Sequence, residues 1–186
     1  RGPAPAPSPF AKRPPRPGRL ADPTAATKAT LARLANRIVD LDDELREIDD
    51  DLDELTTETA PTLIGLFGVG TDVAGQLLAT VGDNPDRIGT SAAFAMLCGV
   101  APIPASSGKT ANRHRLNRGG DRHANAALYR IALCRLRYDN RTRDYRDRLR
   151  GQGKTTKEAM RTLKRAIARE VYQAITADLA TAPRAA

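Results

Sequence analysis

Between residues 105 and 122 the chain sets Ser106, Ser107, Gly108, Lys109 and Thr110 ahead of Arg113, His114, Arg115, Arg118 and Arg122. These residue types suit chemistry at a phosphodiester. A serine oxygen attacking phosphorus needs cations around it to stabilise the negative charge that builds up. A neighbouring glycine lets the backbone approach closely. Ser106 and Ser107 are therefore candidate nucleophiles, and Lys109, Arg113, Arg115, Arg118 and Arg122 candidate phosphate contacts. Pro102 and Pro104 restrict the chain leading in. The same residues also describe a Ser-Gly turn whose arginines hold phosphate with no covalent step, and the spacing leaves both readings open.

A second candidate contact lies upstream, where Leu63, Leu66, Gly68, Val69 and Gly70 are followed by Ala74, Leu77 and Leu78. This fits a helix-hairpin-helix, two short helices about a Gly-hydrophobic-Gly turn. Gly68 and Gly70 would supply φ values that a Cβ resists and bring backbone N–H groups close to phosphate. A plain helical hairpin with a glycine turn is the alternative. Other chemistries fail on spacing. Gly108-Lys109-Thr110 lacks the preceding glycine and strand of a phosphate-binding loop, because Ile103 stands at the required position. Gly68 and Gly70 lack the third glycine of a dinucleotide site. Cys98, His114, His123 and Cys134 have no metal-ligand spacing and read as core thiols and surface histidines.

The elements that must position these residues are helical. Leu31, Leu34, Ile38, Leu41, Leu45, Ile48, Leu52 and Leu55 alternate spacings of three and four, an unbroken heptad pattern. A helix over that span is about 40 Å long. Its outer positions are crowded with Asp and Glu, and no second run of this quality occurs, so homo-oligomerisation is expected, and the acidic groups favour an antiparallel arrangement or a basic partner. After Pro61 short apolar helices follow. Thr90 or Ser91 caps one that runs through Cys98, and Asp121 caps another over 121–138 with Ala126, Leu128, Ile131, Ala132 and Leu136 inward. A basic turn or two spans 141–150. Thr155 and Glu158 form a capping box for a last helix with Met160, Leu163, Ala166, Ile167, Val171, Ile175 and Leu179 on its apolar stripe. The expected organisation is a Pro-rich disordered tail over 1–27, an acidic coiled coil over 28–60 and a compact helical domain over 61–182, all-α throughout.

Composition supports this. The chain has 186 residues, 4% aromatics and no Trp, so its core is aliphatic and an all-β sandwich is excluded. Its +8 net charge divides into +4 over 1–27, −7 over 28–58 and +11 over 59–186, so the C-terminal part is the natural polyanion binder. Two cysteines without a secretion signal read as free thiols. The uncharged run 88–108 is interrupted by Pro102, Pro104 and glycines, so it reads as buried core and no membrane association is expected. Arg1 in place of an initiating Met predicts a piece of something longer.

The residues 66–70, 77–83, 94–102 (FAMLCGVAP), 106–110 and 113–128 (RHRLNRGGDRHANAAL), then 154–170, resemble the C-terminal domain of IS110/IS116/IS902 transposases. The resemblance covers about residues 61–179, and the acidic heptads resemble the coiled coil preceding that domain. It implies insertion-sequence transposition and recombination in which a RuvC-like domain, whose carboxylates hold Mg²⁺, works with a serine of the C-terminal domain. It also implies DNA as partner, a structured guide RNA for some members, an oligomer, and a bacterial cytoplasmic, nucleoid-associated setting. The implied serine falls on Ser107, with Ser106 the close alternative, and Arg113, Arg115, Arg118 and Arg122 fall in the basic stretch. The departure is upstream: residues 1–27 hold Asp22 as their only carboxylate, so the RuvC-like half is missing from this sequence. A truncated product, inactive alone, is therefore expected. A non-catalytic nucleic-acid-binding and oligomerisation module is the competing reading.

Overall fold

The computed structural model describes residues 22–82, 88–104, 114–115, 117 and 119–181. Among them the chain is helical apart from one two-residue strand pair. The helices are α1 (Pro23–Thr59), α2 (Pro61–Ile64), α3 (Thr71–Val81), α4 (Ser91–Leu97), α5 (Arg122–Tyr138), α6 (Asn140–Gly151) and α7 (Thr156–Thr181). The strands are β1 (Ile103–Pro104) and β2 (His114–Arg115), antiparallel with Ile103 opposite Arg115 and Pro104 opposite His114. The all-α expectation holds. The chain divides into two compact units, Arg1–Asp51 and Leu52–Ala186.

In the first unit, α1 begins at Pro23, ahead of the heptad pattern and inside the span assigned to the Pro-rich tail. Asp22 sets that start. Its Oδ1 accepts the N–H of Thr24 at 3.1 Å, and Pro23 occupies the first helical position, where a missing N–H costs nothing. The rest of the tail lies outside the described residues. Along α1 the heptad side chains face solvent: Leu31, Leu34, Ile38, Leu41, Leu45 and Ile48 are all exposed, Ile38 by 59%.

The second unit is built around α5. It packs against α3 on one side and α7 on another, while α7 also receives α2, α4 and α6. The side chains fully withdrawn from water are Leu63, Leu77, Val81, Ile88, Phe94, Cys98, Leu128, Ile131, Ile167, Val171 and Ile175. Each large aliphatic or aromatic among them contributes on the order of 1.5–3 kcal/mol relative to exposure. The expected stripes are largely correct, with one revision. Ala126 of α5 faces solvent, whereas Ala124 and Ala127 are buried beside Leu128, Ile131 and Ala132, so the inward face is the expected one without Ala126. Caps fall as anticipated. The Thr90 side chain accepts the N–H of Ala93, Asp121 accepts those of His123 and Ala124, and Thr155 and Glu158 exchange the two bonds of a capping box. The basic turn after Tyr138 is a full helix, α6. Asp139 starts it by accepting the N–H groups of Arg141 and Thr142.

One cap comes from far along the chain. α2 is a single turn whose own N-cap residue, Ala60, has no side-chain acceptor. Buried Asp178 of α7 fills the gap, accepting the N–H of Thr62 at 2.9 Å and that of Leu63 at 3.0 Å. Asp178→Ala leaves the buried N–H of Leu63 unmatched and removes the part-buried partner of Thr62. It is expected to lower unfolding free energy by about 2–4 kcal/mol in urea titration. A loss below about 0.5 kcal/mol would remove Asp178 from this role.

Candidate nucleic-acid interface

The glycine turn between α2 and α3 is closed by backbone bonds from Leu66 N–H to the Leu63 carbonyl and from Val69 N–H to the Leu66 carbonyl. Gly68 has φ +84°, a left-handed conformation that favours glycine, and its missing side chain faces Cys134 and Arg135 at 3.5 Å. The Arg135 Nε donates to the carbonyl of Phe67 at 2.8 Å, and its Nη1 pairs with Glu170 at 2.6 Å, so a nearly buried guanidinium pins the turn to α5 and α7. Gly70 differs from the expectation. It sits in extended backbone at φ −107° as the N-cap of α3, with open space where a Cβ would stand.

The second glycine contact lies at the foot of the serine-bearing segment. Gly99 (φ +64°) ends the α4 turn and Gly120 (φ +96°) precedes α5. A Cβ on Gly120 would stand 2.5 Å from the Gly99 nitrogen and 2.7 Å from the Leu97 carbonyl oxygen. One on Gly99 would stand 2.7 Å from the Gly119 oxygen. The two backbones therefore touch directly, joined by Asp121 N–H to the Leu97 carbonyl at 2.6 Å. Asn125 stitches the junction, donating through Nδ2 to the carbonyls of Cys98 (2.9 Å) and Gly99 (3.2 Å). Its Oδ1 accepts from Nζ of buried Lys164 at 2.7 Å. Beyond this junction β1 and β2 pair, so both ends of 105–113 leave from adjacent strands.

The electrostatics follow from this packing. The N–H of Ala124, followed by those of His123 and the Thr80 hydroxyl, holds the Asp121 carboxyl below the usual carboxylate range, against the opposing effect of burial. Burial, and then the Asp121 charge, pushes the Cys98 thiol up to about 12. Both cysteines are free, Cys98 buried and Cys134 half-buried.

Ser106, Ser107, Lys109, Arg113 and Arg118 lie outside the described residues. Arg115 pairs through its backbone in β2, and Arg122 is the exposed first residue of α5. Gly68 and Gly70 are not gathered with Arg122 into one pocket. Gly68 meets Cys134 and Arg135, about 20 Å along α5 from Arg122 at 1.5 Å per residue. Asn125, Lys164, Arg135 and Asp178 were missed from sequence, since a lone polar residue inside an apolar stripe carries no mark of its distant partner. Among the described residues no three His, Cys, Asp or Glu side chains converge as metal ligands. The Mg²⁺ implied by the resemblance therefore has no holder there. No helix among them is long and apolar enough to cross a membrane.

A helical domain held by two glycine turns and side-chain caps defines the class, and comparison supplies the family. Residues 60–147 match the model described as Transposase IS116/IS110/IS902 family, a span running from the foot of α2 into α6, and this part of the chain belongs to that family. It is 37% identical over 106 residues to the insertion element IS110 uncharacterized 43.6 kDa protein of Streptomyces coelicolor, covering 57% of this chain and 26% of that protein. It is 30% identical over 137 residues to the insertion element IS900 uncharacterized 42 kDa protein of Mycobacterium paratuberculosis, covering 73% and 34%. The chain thus spans between a quarter and a third of the length of these curated relatives.

Gly120→Ala is expected to lower stability by about 3 kcal/mol or more, or to prevent folding, because it adds a clash to a strained φ. Gly70→Ala, with open space, should change it by less than about 1 kcal/mol. Equal effects in denaturant titrations would contradict the backbone contact. With a pKa near 12, on the order of one Cys98 in ten thousand is thiolate at pH 8. An aromatic disulfide reagent should therefore modify Cys134 alone in the folded chain and both thiols in denaturant. Rapid labelling of Cys98 in the native state would contradict its burial.

Proposed function

We propose that this chain is the DNA-binding C-terminal part of an insertion-sequence transposase, carrying the serine that exchanges strands. Support comes chiefly from one arrangement. The family-matched span carries Ser106 and Ser107 in sequence between two strands that pair, and in the same span Gly99 and Gly120 touch at the junction from which Arg122 starts α5. A hinge that tight suits a segment that must hold a hydroxyl against phosphorus. In the reaction, Ser107 Oγ loses its proton and forms an Oγ–P bond while the P–O bond to the departing strand breaks. That strand's oxygen takes up a proton, and Ser106 is the alternative nucleophile. Lys109, Arg113, Arg115, Arg118 and Arg122 neutralise charge on the phosphate and its neighbours. Gly68 and Gly70 offer backbone N–H groups to a more distant phosphate.

Mg²⁺ belongs in this reading to carboxylates of a RuvC-like domain supplied by the rest of the protein. DNA is the primary ligand, with a structured guide RNA as a second. The solvent-facing leucines and isoleucines of α1 support association between copies of the chain. Lys28, Arg33 and Arg37 occupy its first half, while the acidic residues occupy its second, so an antiparallel pair sets opposite charges side by side.

The reading is tested in two measurements. Affinity of the chain for duplex DNA should fall with salt at a log-log slope of about 0.9 for each phosphate engaged. Salt-independent binding rejects the phosphate contacts. With a full-length transposase context restored, Ser107→Ala should abolish strand exchange and leave DNA affinity unchanged, whereas undiminished exchange assigns the chemistry elsewhere.

A further inference from the structure

Helix α7 carries basic residues in a pattern that neither the core nor the serine segment uses. Arg161, Arg165 and Arg169 recur every fourth residue, so they form one ridge about 12 Å long, turning slowly around the helix. Lys157 leads into it, and Lys164 lies beside it. Arg161 and Arg169 are exposed and Arg165 is half-buried where α7 packs on α4, its Nη1 donating to the Ser91 hydroxyl at 3.3 Å. The carboxylates of α7 are committed elsewhere: Glu158 closes the capping box at Thr155, Glu170 pairs with Arg135, and Asp178 caps α2. Among the described residues no ion pair joins Arg161, Arg165 or Arg169 to a carboxylate.

This arrangement costs the free protein energy. Burial, and then the charge of Arg161, lowers the Lys164 ammonium pKa, and burial followed by the charge of Arg169 does the same to the Arg165 guanidinium. Like charges that oppose one another's ionisation are relieved by an anion laid across them. Guanidinium forks suit phosphate oxygens in particular, and along one nucleic-acid strand phosphates follow every 3.4 Å or so of axis, so a ridge of this length meets more than one.

We infer that Arg161, Arg165 and Arg169, with the Ser91 hydroxyl beside them, form a second phosphodiester-binding track on α7, in addition to the contacts proposed for the serine segment. The inference rests on the nucleic-acid-binding reading above and extends it to residues beyond the family-matched span. The track holds the backbone of a nucleic acid, since guanidinium forks donate to phosphate oxygens, the contacts that position a protein without specifying sequence.

The test uses the full chain, a labelled DNA duplex of random sequence and a labelled RNA hairpin. Relative to the unmodified chain, combined Arg161→Gln, Arg165→Gln and Arg169→Gln should reduce the log-log salt slope on duplex by about two to three. Since Arg165 also bonds Ser91, a double variant of the exposed pair, Arg161→Gln with Arg169→Gln, should reduce it by about two with the melting temperature unchanged. Neutralising Arg141, Arg148 and Arg150 on α6 removes equal charge elsewhere and should leave the slope within error. A drop on either probe supports the track, and the probe with the larger drop identifies whether DNA or RNA lies on it. Unchanged slopes on both probes, or an equal drop from the α6 variant, overturn it. If the unmodified chain binds neither probe in a salt-dependent way, the underlying nucleic-acid reading fails first and this track with it.

Discussion

The architecture of the second unit depends on a contact between two backbones. Gly99 and Gly120 approach so closely that a Cβ on either would stand within 2.7 Å of the other's neighbourhood, and both adopt left-handed φ values. Because α4 ends and α5 begins at this point, the contact fixes the angle at which the two helices diverge. It also fixes where the strands β1 and β2 leave the core. Asn125 and Lys164 satisfy the polar groups that the contact buries, and Asp121 both caps α5 and ties it to the Leu97 carbonyl. A junction without side chains at its centre leaves no room for slippage. Such rigidity suits the role proposed for the serine segment, which is to present hydroxyls and guanidiniums to one phosphodiester.

The same economy appears at other buried polar groups. Arg135 holds the Gly68 turn through the Phe67 carbonyl, and Asp178 completes the first turn of α2. Each joins elements far apart in the chain, and each satisfies groups that would otherwise be stranded away from water. No buried side-chain nitrogen or oxygen among the described residues is left unmatched. Polar bonds of this kind add little net free energy, but they select one packing of smooth aliphatic helices over its neighbours.

Charge is divided by element. α1 carries half of the acidic residues of the chain and leaves its aliphatic face in water, while α5, α6 and α7 carry two thirds of the cations that follow residue 58. Several of those cations serve structure: Arg130 pairs with Asp72, Arg135 with Glu170 and Arg146 with Asp147. The +11 of the C-terminal portion is therefore not a uniform coat. Among the described residues it separates into arginines paired with carboxylates and arginines that face outward without an ion pair.

Helix identities were legible in the sequence, because capping residues and the apolar period are local and repeat every turn. Asp121, Thr90 and the Thr155–Glu158 box mark real helix starts, although the 141–150 run reads as less helix than it forms and α1 starts earlier than its heptads. The serine segment and its arginines were also visible as residue types, and the family match covers them. Tertiary structure decided the rest. Only packing shows that Gly68 needs its freedom and Gly70 does not, that Ala127 rather than Ala126 faces inward, and that Asp178 caps a helix at the opposite end of the domain. The physical reason is range. Periodicity and caps are written within a few neighbouring residues, whereas a backbone contact or a buried acceptor acquires its partner only when distant segments meet.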